Sequence, residues 1–443
     1  MIVLRDHHTC ATALAASAQR GVVFSHQLKP VNARDESDIV LWVAAEHDAY
    51  GGVRVAAFID PTEGVVEWAE LAPDVQTVAI RAGVPVIDLG GPLLLAPVMI
   101  PKPWGREIWF TGIEARGQSE VVGEGGRMSL HWLLSIAEHD IFGSARAPLN
   151  LLKILDPLPD PVYGDLYFEL HRQKSEVYVV TAVHPDSWPG GRGAIRFGLA
   201  PDARREHATD GEFRAAYLAD VRAYQGIRGA IDAVQDGWRC AEGFEPNAPV
   251  AAATLRRWHA ALAPELRLQE AHAREVMERH THMAPLQVGD VVQIPPLLPH
   301  ALQHGVRTVE FQTPVYERKI LAFGQKVLTQ DHWDTEEVIA EMRIDAPPIS
   351  EIVVLSETPA LRHERIATFP DFVVERLRMS PASEWEMEAG GAYALAMVVA
   401  GVVRAGAQTL ELESAVLVPA CCPRCRFQNA GTEDATLLIS RPR

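Results

Sequence analysis

Two short runs of residues, far apart in the chain, constrain its fold more than any other feature. The first is Gly164-Asp-Leu-Tyr-Phe-Glu-Leu-His-Arg-Gln-Lys-Ser-Glu176. Glu169 and His171 stand two apart in an extended stretch, so their side chains leave the same face of one strand. Glu176 follows a polar turn and heads the β-branched and aromatic run Val177-Tyr-Val-Val180. The second run is Gly289-Asp-Val-Val-Gln-Ile-Pro-Pro-Leu-Leu-Pro-His300: a turn, a short apolar strand, a proline-rich bend and a histidine. Oxygen, nitrogen, oxygen and nitrogen donors from Glu169, His171, Glu176 and His300 suit zinc or another borderline divalent cation without any thiolate. The expectation is one metal site inside a β-barrel.

The order and intervals of these words resemble the paired motifs of the cupin fold. Within it they are similar to the class I, zinc-dependent mannose-6-phosphate isomerases, which carry Gln-x-His, Lys-x-Glu, Ile-Pro-x-x-x-x-His and then Glu-x-Gln followed by an Arg. This chain has Glu169-Leu-His171, Lys174-Ser-Glu176, Ile294 to His300, Glu310-Phe-Gln312 and Tyr316-Glu-Arg318. Upstream, Lys102-Pro-Trp-Gly105, Ser129 to Gly143 and Asn150 to Asp156 resemble the family's Trp-Gly, its Leu-rich helix and its lysine-bearing strand. The likeness runs from about residue 100 to about 330, weakens beyond, and leaves out the first hundred residues.

The resemblance implies a Zn²⁺ held by Glu169, His171, Glu176 and His300, one per chain, with Arg318 and Lys174 as catalytic cations steadying an enediolate or a phosphate. It implies interconversion of an aldose phosphate and a ketose phosphate, mannose 6-phosphate first. Two positions depart from the family. Glu169 replaces a neutral Gln, adding a negative charge and weakening the metal as a Lewis acid, and Tyr167 replaces a small hydroxyl residue that helps to hold phosphate. Two alternatives therefore stay open: a metal-dependent cupin acting on another sugar, and a non-catalytic sugar-binding bicupin.

At 443 residues the chain has room for two or three domains. Its net charge of −17 argues against nucleic acid, whose binding rests on clustered Lys and Arg. A phosphorylated sugar needs only a local cationic pocket, for which Arg172, Lys174, Arg318 and Lys319 are at hand. No apolar run approaches membrane-spanning length, and the start Met-Ile-Val-Leu-Arg-Asp-His-His lacks the pattern of a secretory leader, so a cytoplasmic location is expected. Cys421-Cys-Pro-Arg-Cys425 lacks a second Cys or Cys-His pair for a structural zinc site and reads as packed, reduced or redox-sensitive thiols. His184, His280 and His282 read as exposed loop residues.

The expected architecture is mainly β: a bicupin of two β-barrel or jelly-roll domains with an α-helical insertion between the metal motifs. Residues 1–98 form a β-rich extension of unassigned role that packs on the first barrel, with a short helix near 9–19. Residues 99–345 form the metal-binding barrel. Within it, 129–142 read as one helix capped by Ser129, and 201–283 read as helices at 212–220, 251–262 and 266–279, an insertion able to lid the metal. An acidic helix over 331–341 leads to Ala346-Pro-Pro348, the expected boundary, and 349–443 form a second barrel without metal ligands.

Overall fold

The computed structural model describes residues 1–17, 21–31, 38–48, 51–59, 64–69, 71–143, 147–345, 347, 351–388 and 390–443. The architecture is mainly β, with 40% of residues in strands and 23% in helices. The chain divides into two compact units. One comprises residues 1–98, 109–152 and 351–443, the other 99–108 and 153–350. This differs from the expected division in that 109–152 group with the two ends of the chain, not with the metal motifs. Of the expected proline-rich boundary, Ala346 and Pro348 lie outside the described residues.

The first unit opens with a five-stranded sheet, Ile2–His7, Gly21–Leu28, Ile39–His47, Val53–Phe58 and Ile87–Asp88, in that order. Helix Val75–Ala82 packs on it, N-capped by Asp74, whose carboxylate accepts from Thr77 N at 2.8 Å, and ended by Gly83 in the left-handed region. The helix near 9–19 is Cys10–Ala16. Next, Leu93–Ala96 enters a nine-stranded sheet between Glu120–Gly123 and Ala415–Val418, pairing Leu94 with Val416. This sheet and a four-stranded one, Glu384–Glu388, Arg424–Asn429, Val403–Ala405 and Gln408–Leu410, enclose Leu377, Met387, Val416, Phe427 and Ile439.

The strand Leu93–Ala96 of the N-terminal segment thus shares a sheet with strands of the C-terminal region. The physical cause is the apolar run Leu-Leu-Leu-Ala, which suits a strand covered on both faces. The single helix expected over 129–142 is two, Leu130–Ile136 and Glu138–Phe142. Ala137 leaves helical geometry (φ −122°, ψ 32°) and Ser129 makes no side-chain cap bond.

In the second unit, one sheet runs Val291–Ile294, Glu176–Val183, Val306–Gln312, Leu151–Pro157, Gly105–Trp109 and Val98–Lys102. Another runs Thr281–Leu286, Gly193–Leu199, His300–Leu302, Phe168–Leu170 and Lys319–Ala322. Their facing sides share a core of Trp104, Tyr167, Tyr178, Val180, Ile195 and Leu302. Alternation along the strands sets the rest. Tyr167, Glu169 and His171 share one face, and so do Glu176, Tyr178 and Val180; Phe168 and Leu170 take the opposite face.

Helices Pro201–Arg205, Asp210–Ala241, Ala252–Ala261 and Pro264–Glu278 form the insertion. Thr209 and Glu212 cap the longest reciprocally, and its Phe213, Tyr217, Val221 and Tyr224 bury against Phe168 and Leu170. Each such side chain contributes about 1.5–3 kcal/mol by leaving water, so docking, not helix propensity, holds this helix in place. The insertion therefore covers the outer face of the strand whose inner face carries Glu169 and His171. It does not lid them, because its apolar stripe is spent on Phe168 and Leu170. The expected acidic helix shortens to Thr335–Val338.

Both motif glycines have a steric reason. A Cβ on Gly164 would lie 1.9 Å from the Leu158 carbonyl oxygen and 2.7 Å from His304 Cβ, and Gly289 turns at φ +91°. Gly164→Ala is expected to destabilise the fold by about 1–3 kcal/mol, read as a lowered denaturation midpoint. An unchanged midpoint would mean that the Leu158 loop yields freely.

Candidate metal centre

Glu169 on the strand Phe168–Leu170 pairs directly with His300 on the neighbouring strand His300–Leu302. Glu176 starts the strand of the facing sheet and pairs with Ile294 on one side and Gln312 on the other. Leu297 holds the proline-rich bend before His300 in place. Its φ of 66° is unusual for a branched side chain, and its N–H donates to the His171 carbonyl at 2.6 Å.

The side chains converge. His171 Nε2 lies 3.2 Å from Glu176 Oε1, His300 Nε2 lies 3.2 Å from Glu176 Oε2, and His171 Nε2 lies 3.8 Å from Glu169 Oε1. Donors of Glu169, His171 and His300 lie within 4.8 Å of one another, a group able to hold a metal ion. Around a tetrahedral ion at metal–ligand distances of 2.0–2.1 Å, ligands stand roughly 3.3 Å apart, which the His–Glu176 contacts match.

The hydrogen-bond pattern tests the fit independently. His300 Nδ1 is 2.9 Å from the Leu298 carbonyl and donates to it, so Nε2 of the neutral ring is an acceptor. That acceptor faces a carboxylate oxygen, an arrangement that a cation between them stabilises. The buried Nε2 atoms of His171 and His300 have no hydrogen-bond partner among the described residues. Burial, with the nearby Lys174 charge, keeps the His171 pKa low, in the neutral form that metals need. Burial pushes the Glu176 carboxyl up, but the Lys174 ammonium and His171 outweigh it and hold it well below the usual carboxylate range. Tyr178 donates its hydroxyl to Glu176 Oε2 at 3.0 Å.

The two expected catalytic cations come to the same place. Lys174 is buried, with Nζ 2.6 Å from Glu176 Oε1 and 3.4 Å from Gln312 Oε1. The Arg318 guanidinium stacks 4.6 Å from the centre of the Tyr167 ring, its Nε 3.8 Å from Glu169. Glu317 is no partner of Arg318; its carboxylate takes the N–H groups of Arg172 and Gln173 at 2.9 and 2.8 Å. Arg172 and Lys319 stay outside the cluster, bound to Glu337 at 2.8 and 2.7 Å, so the expected four-cation pocket reduces to Lys174 and Arg318.

Sequence reasoning gives no role to Lys153, Glu310 or Tyr178. Lys153 and Glu310 are buried and 3.3 Å apart, and Lys153 also approaches Glu107 at 3.9 Å. Burial and the neighbouring Glu176 raise the Glu310 carboxyl well above its ordinary range. A signal existed: each is a charge inside an otherwise apolar run, Leu-Leu-Lys-Ile-Leu and Val-Glu-Phe, where a strand is covered on both faces.

His280 is a correction. It is buried, with Nε2 2.7 Å from Asp220 and edges towards the rings of Phe213 and Tyr217, joining helix to strand. His184 and His282 are exposed, and His282 lies in the strand Thr281–Leu286, not in a loop. The thiols are free, and burial pushes Cys421 and Cys425 up to about 12, leaving both protonated.

No family model matches the chain, and no curated protein matches it in sequence. Its fold matches a mannose 6-phosphate isomerase from Bacillus subtilis with a TM-score of 0.54 at 14% identity, over 79% of this chain and 99% of that one. A mannose 6-phosphate isomerase bound with zinc and yttrium matches with a TM-score of 0.51 at 13% identity, over 80% of this chain and all of the other. A mutant phosphomannose isomerase from Salmonella typhimurium matches with a TM-score of 0.51 at 12% identity, over 79% of this chain and 99% of that one. At such identities the likeness establishes the fold, the cupin type expected from the paired motifs. Among the described residues, no helix is long and apolar enough to cross a membrane.

Purified protein is expected to carry close to one divalent ion per chain by elemental analysis, and His171→Ala or His300→Ala to lose it. Full occupancy in the double variant would place the metal elsewhere.

Proposed function

We propose that this protein is a metal-dependent aldose–ketose isomerase acting on a phosphorylated sugar, with mannose 6-phosphate and fructose 6-phosphate as the leading pair. The observation that carries this reading is the cluster of Glu169, His171, Glu176 and His300 around partnerless imidazole nitrogens, in a fold shared with isomerases of that substrate. In the proposal these four residues hold a Zn²⁺, which when bound supplies a Lewis acid for the sugar's carbonyl oxygen.

The chain's own groups do the rest. Isomerisation takes the proton from C2 of the aldose and adds one to the carbonyl oxygen to give an enediol; a proton then returns at C1 as the C2 hydroxyl gives up its own and becomes the ketone. Glu169 and Arg318 are the accessible members of the cluster, with side chains 17% and 13% exposed against 1–2% for His171, Glu176 and His300, so the sugar enters on their side. Arg318 can hold two oxygens of a phosphate or an enediolate at once. Lys174 keeps Glu176 ionised and oriented, which makes it a positioning residue through its 2.6 Å contact. The buried pair Lys153 and Glu310, 3.3 Å apart, is a candidate for proton transfer.

Glu169 and Tyr167 favour a second reading, the same chemistry on a different sugar. Glu169 adds charge, and the Tyr167 ring fills the space beneath Arg318.

A coupled assay with a panel of phosphorylated aldoses, run on metal-loaded and chelator-treated protein, tests the function. Turnover that vanishes with the metal is expected; a loaded protein inert towards all of them would leave only a binding role. Arg318→Ala should lower kcat/KM on the order of a hundredfold with metal content unchanged. Glu169→Gln should hold or raise turnover while metal affinity falls. A loss of several orders with metal still bound would instead give Glu169 a proton-transfer role.

A further inference from the structure

The helical insertion encloses a cavity of about 150 Å³ that the metal-centred chemistry does not use. It lies among the helices Asp210–Ala241, Ala252–Ala261 and Pro264–Glu278 and the loops at 161–163 and 324–328. None of the residues lining it belongs to the cluster around Glu176.

The wall is strongly polar, yet its charges are largely matched in advance. Arg228 Nε bonds Asp232 at 2.9 Å, Arg274 Nε bonds Glu270 at 3.2 Å, and Lys326 Nζ bonds both oxygens of Asp236 at 2.8 Å. The remaining cation, Arg239, donates through Nη1 to the Glu245 and Ala248 carbonyls at 3.3 and 2.7 Å. A phosphate dianion here would have to compete with three carboxylates for the cations that already pair with them.

Unspent hydrogen-bonding capacity nevertheless remains. Gln325 is 6% exposed; its Nε2 donates to the Tyr163 carbonyl at 2.9 Å, while its buried Oε1 has no partner among the described residues. Arg239, 5% exposed, has a buried Nε that makes no hydrogen bond, the nearest carboxylate oxygen being Asp236 Oδ1 at 3.7 Å. Glu270, 3% exposed, takes bonds from Tyr224 and Arg274 on Oε1 alone. Native interiors seldom leave such groups unmatched without a ligand or water to meet them. Paired acid and guanidinium groups offer acceptors and donors side by side, and a hydroxyl, which both donates and accepts, can satisfy both. The volume is that of a cavity able to take one six-membered ring.

We infer that this cavity is a second binding site, for a neutral polyhydroxylated ring of monosaccharide size, such as an unphosphorylated aldose or a cyclitol.

Calorimetric titration of the full-length, metal-loaded protein with D-mannose, D-glucose and myo-inositol, beside mannose 6-phosphate, tests it. One neutral compound should saturate at one per chain, and its binding should survive His171→Ala. Affinity should fall at least tenfold in Glu270→Gln and in His259→Trp, which fills space from a partly exposed wall without removing a buried bond. Circular dichroism melting checks that both variants fold. Absence of saturable binding by all three neutral compounds would overturn the inference. So would unchanged affinity in the folded variants, or loss of neutral binding in His171→Ala, which would assign it to the metal centre.

Discussion

Glu176, 1% exposed, holds its negative charge against the Lys174 ammonium at 2.6 Å and the Tyr178 hydroxyl at 3.0 Å, with two imidazole nitrogens facing it at 3.2 Å. A carboxylate so far from water survives only while those partners stay in place, since removing one partner of a buried charge typically costs about 3–5 kcal/mol. The demands propagate outwards. Lys174 must remain inward, Tyr178 must donate, and the bend through Leu297 must bring His300 close. The left-handed backbone at Leu297 is strain that the His171 carbonyl and the Arg343 N–H, which donates to the Leu297 carbonyl at 2.8 Å, help to hold.

The same strand serves two purposes through its alternation. Glu169 and His171 look into the barrel, while Phe168 and Leu170 anchor the helices on the other side. A slip of one residue in register would exchange these sets, placing carboxylate and imidazole against Tyr217 and Tyr224. Burial of four aromatic and aliphatic side chains on the outer face thus enforces the polar geometry on the inner one.

Much of this was legible in the sequence. Glu169, His171, Glu176 and His300 could be brought together because strand spacing and turn residues have short-range rules, and the helical insertion announced itself by periodicity. What escaped depended on long-range partners. Ser129 looks like a cap but makes no cap bond, Ala137 breaks a helix that its neighbours favour, and His280 lies buried because Asp220 waits for it on a helix sixty positions away. Lys153 and Glu310 were readable as charges out of place, but their role follows only from their meeting. The grouping of 109–152 with the chain ends rests on strand pairings that no local pattern encodes.

The strand Leu93–Ala96 lies beside Ala415–Val418, so the larger sheet of the C-terminal barrel contains a strand synthesised more than three hundred residues before its neighbour. That sheet cannot close until residues 415–418 have been made. Its early strand, apolar on both faces, must wait through synthesis of the entire second unit, and pairings of such sequence separation form slowly and expose aggregation-prone edges meanwhile. The topology therefore makes closure of this sheet a late step of biogenesis, one that follows synthesis of the whole second unit.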